Sequence, residues 1–399
     1  MCWRAGKLKK RVGLNWLFGS KRRAMLEETW TSLLDPKDPL LNYRKKGWSQ
    51  FESIGLPKPK QEAFQYLTRK QWAFPKRAEP KQLMRAPSQG IVFVDGYFDE
   101  GLSHIPAPLV CLGLDQAMRP YGLFLQNRLM LTLNKEKDPF AALNGALFGR
   151  GAFLYIPPKC DIALHVSHIY SAGEMATPRL HIYVGRESQL TLTQDAEGAS
   201  GFSNGMIDWV LESGAKALLI DRAQGGTMQA IRAHLKRDSA FKMVSIGHPL
   251  RNSIRVELME ENSEAELLGL CRLDDAQEAH IHAHMEHVAP NARSRQHFKS
   301  VLSGRSRFSF EGKIYVHAEA QKTESYQLNN NLILSEWAVA NAKPNLEIFA
   351  DDVKASHGCT TGQLNEEELF YLRSRGLSLP SAREWLIAGF CKEITDHAR

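Results

Sequence analysis

The sequence predicts a mainly β protein with helical regions at both ends. Three observations lead there. From about residue 151 to 350, helical periodicity gives way to short alternating apolar runs such as "LHIYVGRESQLTLT" and "SIRVELMEENSEAELLGL". Up to about residue 88, apolar residues recur at helical spacing between proline-rich breaks. Past residue 361, helix start and stop signals return.

Taken in order, residues 25–50 and 62–72 read as helices. Asp35, Pro36, Asp38 and Pro39 interrupt the first, and "GLPKPKQEAF" separates the two. "GIVFVDGYFD" (90–99) reads as a hairpin turning at Asp95-Gly96. A mixed segment follows, in which "DPFAALNGAL" (138–147) reads as a short helix. The alternating segments "WVLESGAKALLI" (209–220) and "VLSGRSRFSFEGKIYV" (301–316) continue the β region. Their pattern alone fits a sandwich, a barrel or a parallel β-helix. At the C-terminus Asn365 fits an N-cap, Glu366, Glu367 and Glu368 fill the electropositive first turn, and Gly376 fits C′. A last helix is read as starting at Ser381, with Glu384 at capping-box spacing. Its stripe of Leu386, Phe390 and Ile394, flanked by Ile387 and Cys391, needs a covering surface, with this chain's own core as the default.

The net charge of +7 is concentrated in one place. Residues 1–25 hold eight Lys and Arg and no acid, so the rest of the chain carries −1. The body therefore has no electrostatic footprint for nucleic acid. The basic extension, 1–24, reads as disordered or as an over-called start preceding Met25. No run of 18 apolar residues occurs, so no membrane span and no stable membrane association are expected. The six cysteines are widely spaced and form no CxxC, which favours a reducing cytoplasm over a disulfide framework.

The chain contains no GxxxxGK[ST], no GxGxxG after a strand and no GxSxG. Signatures of a nucleotide enzyme or a hydrolase are thus missing. Two clusters remain. In "EAHIHAHMEH" (278–287), a strand would bring His280, His282, His284 and Glu286 to one face. His280, His282 and Glu286 match half of a cupin metal motif, without its bracketing glycines. In "LEIFADDVKASHGCTTG" (346–362), an extended chain puts Ala355, His357 and Cys359 on one face. An imidazole and a thiolate suit iron or zinc, but two ligands leave the shell incomplete, so a partner or substrate would supply the others. Asp351 and Asp352 are adjacent and would point oppositely, which makes a poor acid–base dyad.

"AQKTESYQLNNNLILS" (320–335) and "KPNLEIFADDVKASHGCTTGQLNEEELFYLRSRGL" (343–377) resemble the SufB/SufD family of iron–sulfur cluster assembly scaffolds, the SufD branch in particular. "HVAPNARSRQHFKSVL" and "FESIGLPKPKQEAFQY" fit it too, and the likeness spans about residues 45–399. The resemblance implies a right-handed parallel β-helix core at 151–360. It would be preceded by an N-terminal helical region (25–88) and a mixed lead-in (89–150), and followed by a C-terminal helical region (361–399). It implies a non-catalytic scaffold, not an enzyme, in a cytoplasmic complex. The partners would be a SufB-like subunit, a SufC-like ABC ATPase that alone binds ATP, and a desulfurase system delivering sulfur. The family's functional His maps onto His357, facing a SufB cysteine where iron or a transient cluster is proposed to sit. Many relatives carry Cys at the position of Ala355 and Ala at that of Cys359, so the thiol here either changed sides of His357 or drifted there neutrally. Trp385, Leu386, Phe390 and Ile394 would form the ATPase-docking face, and some family complexes bind reduced flavin. The competing reading is a cupin-like metalloenzyme built on His280, His282 and Glu286. A carbohydrate-active β-helix enzyme would need an acidic cleft that the sequence does not expose.

Overall fold

In the computed structural model, which describes residues 23–57, 61–67, 77–83, 88–171, 173–198, 201–222 and 226–398, neighbouring strands along the central chain lie in different sheets. Each pairs in parallel with the strand one turn away. The result is a parallel β-solenoid of about seven turns. Its two ten-stranded sheets end in Val339–Ile348 and Val353–Gly362. This decides among the three β architectures that alternation alone leaves open.

The polar turns between strands are the corners of the coil. At successive corners from one sheet to the other, Lys159, Glu187, Gly214, Asp238, Asn262, Asn291 and Lys322 all adopt positive φ. A single left-handed residue turns the chain sharply enough for the next strand to start in the opposite sheet. Gly, Asn and Asp enter that region at little cost, whereas Lys and Glu carry some strain. Between corners, alternate residues enter the interior. Ile207, Trp209 and Leu211 face Phe241 and Met243 across the same buried core as Ile254, Val256 and Leu258. The Trp209 and Phe241 ring centroids lie 5.4 Å apart.

The hairpin at 90–99 forms as read. Ile91–Val94 pairs antiparallel with Tyr97–Phe98, and Asp95 and Gly96 both take positive φ, as a two-residue hairpin requires. The first of these strands also pairs with Asp161–Ile169, so the sheets begin inside the segment read as a lead-in.

Helices 23–32, Leu41–Ile54, Gly122–Lys135 and Pro139–Leu147 form the N-terminal cover. The last lies on strands Phe202–Leu211 and Thr227–Leu235. Asp138 caps it, accepting from the N–H groups of Phe140 and Ala141, and Pro139 fits the first turn, where an N–H would be unpaired. Trp30 stacks on Trp48 at 5.3 Å and joins the first two helices across the Asp/Pro break. Three readings need correction or fall outside the structure. Within 62–72 only the 3-10 turn Glu62–Phe64 is helical among the described residues, and 68–76 lie outside them, as does the basic extension through residue 22. Helix Gly122–Lys135 falls in the segment whose sequence reads only as mixed, and Leu125, Leu129 and Leu133 bury one face of it.

At the other end, Asn365 caps Glu366–Ser374 as read, and Gly376 follows with φ 96°. The terminal helix is Leu379–Thr395, longer than read. Ser378 caps it by accepting from the Ser381 N–H, so Ser381 lies inside the first turn. Pro380 does not end the helix because that turn needs no N–H from it.

Candidate functional site

Strand Val353–Gly362 forms the last rung of one sheet. His357 stacks in register on Gln327, Ala355 on Ser325 and Cys359 on Asn329. Those three partners are buried in the solenoid interior. Strand alternation therefore turns Ala355, His357 and Cys359 inward as well. Among the described residues no further rung covers them, and His357 and Cys359 are exposed at the open end. The Cys359 Sγ lies 3.8 Å from Asn329 Oδ1, and Asn331 Nδ2 reaches Thr361 Oγ1 at 3.3 Å, which fixes the orientation on both sides. Partial burial pushes the Cys359 thiol pKa up, so the free thiol holds its proton at neutral pH and would yield it to a metal. Two positions apart on a strand, the His357 and Cys359 Cα atoms are separated by roughly 6–7 Å. Both could reach one ion, with open coordination positions facing out of the solenoid. Asp351 and Asp352 occupy the preceding corner and, exposed, form no buried dyad.

The open end has two further properties. Each terminal strand is an edge whose outer backbone groups lack a strand partner among the described residues. Exposed Trp337, Val339 and Phe349 lie beside these edges. Such edges accept an added strand from another chain.

The interior below the site changes character, which sequence reasoning missed. One inward column of the sheet runs Leu164, Leu192, Leu219, Met243, Leu267, then Gln296, Gln327, His357. The column beside it ends in Ser294, Ser325 and Ala355. Gln327 Nε2 donates to Gln296 Oε1 at 2.9 Å, and Gln296 Nε2 donates to the Lys313 carbonyl at 3.3 Å. Asn331 Nδ2 donates to Asn329 Oδ1 at 2.8 Å. The signal was present in "TESYQLNNN": Ser325, Gln327, Asn329 and Asn331 recur with period two on the face that should be apolar.

His280, His282, His284 and Glu286 do share one face of strand Glu278–His287, but it is the outer face. There it meets cations. Glu286 pairs with Arg255 at 2.8 Å and His317 at 3.1 Å, and despite the opposing effect of burial these partners hold its pKa at about 2. His280 Nδ1 sits 2.7 Å from Ser309 Oγ. Burial, reinforced by Arg251, brings His282 down to about 4; burial and Arg255 bring His284 to about 3. His282, His284, Arg251, Arg255 and Lys313 line a cavity of about 260 Å³ beneath Phe64. The carboxylate is thus engaged by an arginine, and among the described residues no group of three or more His, Cys, Asp or Glu side chains is arranged to hold a metal ion. The cupin-like reading of His280, His282 and Glu286 fails on this geometry and on the parallel topology.

The four residues read as a docking face divide. Ile394 is fully buried with Ile387 and Cys391 against Val244, Leu268 and Val301, so it belongs to this chain's own core and cannot meet a partner. Leu386 and Phe390 are half-buried, and Trp385 is 67% exposed. Phe370, Tyr371 and Leu379 join Trp385 as large exposed apolar side chains on the C-terminal helices. Among the described residues no helix is long and apolar enough to cross a membrane.

The family model described as "SUF system FeS cluster assembly, SufBD core domain" matches residues 167–390, more than half of the chain. An iron–sulfur cluster assembly SufBD family protein of Synechocystis is 29% identical over 348 residues, covering 80% of this chain and 76% of that protein. The iron–sulfur cluster assembly protein SufD of Escherichia coli is 37% identical over 153 residues, covering 38% of this chain and 36% of that protein. A SufBD family protein of Mycobacterium leprae is 30% identical over 56% of this chain and 60% of that protein. With its parallel β-solenoid and helical ends, the chain belongs to the SufBD family of the SUF iron–sulfur cluster assembly system.

Proposed function

We propose that this chain is a SufD-like, non-catalytic scaffold subunit that pairs with a SufB-like subunit through the open end of its solenoid. Iron or a nascent cluster, as cargo, is held there between His357, Cys359 and groups of the partner. The observation that carries this reading is the coincidence at one end of two unpaired strand edges and two exposed, inward-facing ligands. Added strands would supply backbone partners to both edges and cover His357 and Cys359 at once. Covering the site excludes water, and a metal bound there lowers the thiol pKa, turning Cys359 into a thiolate ligand.

The C-terminal helices dock a SufC-like ABC ATPase, which binds the ATP. Exposed Phe370, Tyr371 and Trp385 are suited to anchor such a contact, because aromatic side chains bury much area for little lost entropy. Sulfur reaches the site from a desulfurase system, and any reduced flavin would be held by the assembled cytoplasmic complex.

A tagged chain co-expressed with SufB-like and SufC-like proteins tests this. Both partners should be retained in stoichiometric amounts. Recovery of the tagged chain alone, or as a homodimer that excludes the SufB-like subunit, would overturn the proposal.

A further inference from the structure

We infer that Gln327 is a positioning residue for His357, fixing the tautomer in which the imidazole meets its metal. The inference rests on the reading of His357 as a ligand. Its basis is the polarity of the amide ladder. Gln296 donates through Nε2 to the Lys313 carbonyl and accepts at Oε1 from Gln327 Nε2. Gln296 thus accepts from the rung above, while its own amide is anchored by a backbone carbonyl of the facing sheet. Gln327 Nε2 is committed to Gln296, while its Oε1 is buried and, among the described residues, has no hydrogen-bond partner. Gln327 is only 2% exposed, and an unpaired carbonyl oxygen at that depth is costly. The residue in register above it is His357.

The position is built for a glutamine. Across the interior, a Cβ on Gly312 would come within 2.2 Å of Gln327 Nε2, so the glycine leaves the amide its room. Asn329, the next inward residue, does the same for Cys359, with Oδ1 3.8 Å from Sγ. An imidazole N–H donated to Gln327 Oε1 completes the ladder. The ring nitrogen left unprotonated then faces out of the solenoid with its lone pair free for a metal. Outer-shell acceptors of this kind set the tautomer and orientation of metal-binding histidines.

The test uses Gln327→Leu, which removes the acceptor at similar volume, and Gln327→Glu, which restores one. In ¹⁵N spectra of the histidine-labelled chain, the His357 signals are assigned by their loss in His357→Ala. Wild type and Gln327→Glu should show a single His357 tautomer, and Gln327→Leu a mixture. In the complex with the SufB-like subunit, Fe²⁺ affinity should fall about 10- to 100-fold in Gln327→Leu and recover in Gln327→Glu. An identical tautomer in wild type and a folded Gln327→Leu overturns the inference. Should Gln327→Leu not fold, the wild-type spectrum decides, since a tautomer mixture there overturns it equally. Iron binding that survives His357→Ala would sink the ligand reading instead, and leaves the tautomer result to stand or fall separately.

Discussion

Lys299, on the outer face of the solenoid, holds the terminal helix from below: its Nζ lies 2.9 Å from a Glu393 carboxylate oxygen and donates to the Phe390 carbonyl at 3.0 Å. Lys299 is 9% exposed and Glu393 49%. The lysine is thus the partner that cannot rehydrate freely. Lys299→Met should loosen the helix by about 1–2 kcal/mol and leave the solenoid intact. Hydrogen exchange should accelerate in residues 379–395, with the solenoid amides unchanged. The hydrogen bond from Lys299 holds the Glu393 pKa below its ordinary value. The attachment is therefore whole above the usual glutamate range and weakens as pH falls through the depressed value. Equal exchange in both proteins would remove Lys299 from this role.

A buried pair secures the opposite end. Asp138 caps helix Pro139–Leu147 and pairs with Arg251, whose guanidinium also lies 4.5 Å from the centre of the Phe64 ring. Burial pushes the Asp138 pKa up, but Arg251, Arg232 and the Phe140 N–H outweigh it and bring it to about 2. Asp138→Ala should cost about 3–5 kcal/mol in urea denaturation, because it strands a buried guanidinium as well as removing a cap. Asp138→Asn, which can keep the cap, should cost less. The pair's contribution is full above the ordinary aspartate range, near pH 4, and is lost as pH falls through about 2.

The C-terminal surface predicts a contrast between exposed and buried positions. Phe370→Asp combined with Trp385→Asp should abolish co-purification of the SufC-like ATPase with no change in thermal melting. Ile394→Asp should instead detach the helix, because it places a charge in a fully buried apolar site. ATPase binding that persists in the double variant would move the docking surface elsewhere.

Cys359 tests whether the thiol has changed sides of His357. Cys359→Ser should lower iron loading of the anaerobically reconstituted complex, because the hydroxyl keeps the size and loses the soft ligand. Unchanged loading would mark Cys359 as a bystander with Asn329 as its neighbour.

Much of this arrangement was legible in the residues. Asp95-Gly96 and Asn365 act through local chemistry, and the structure uses both as read. The stacking of strands was not legible from alternation. A corner such as Asp238 or Asn262 has the same polar, left-handed signature whether the next strand returns beside the last or crosses to another sheet. The likeness to a known family supplied that step. Burial of Ile394 depends on Val244 and Val301, far away in sequence, so helical spacing alone could not separate it from Trp385. The inward run of Ser325, Gln327, Asn329 and Asn331 was visible as a period but lacked meaning until the register placed His357 above it.

The central claim is that His357 holds iron at a junction that a SufB-like partner completes. The direct measurement is the iron content of the anaerobically reconstituted complex, wild type against His357→Ala, with subunit stoichiometry determined on the same samples. Loss of most of the bound iron from a complex that stays assembled is the predicted result. Equal iron in the two complexes would contradict the account.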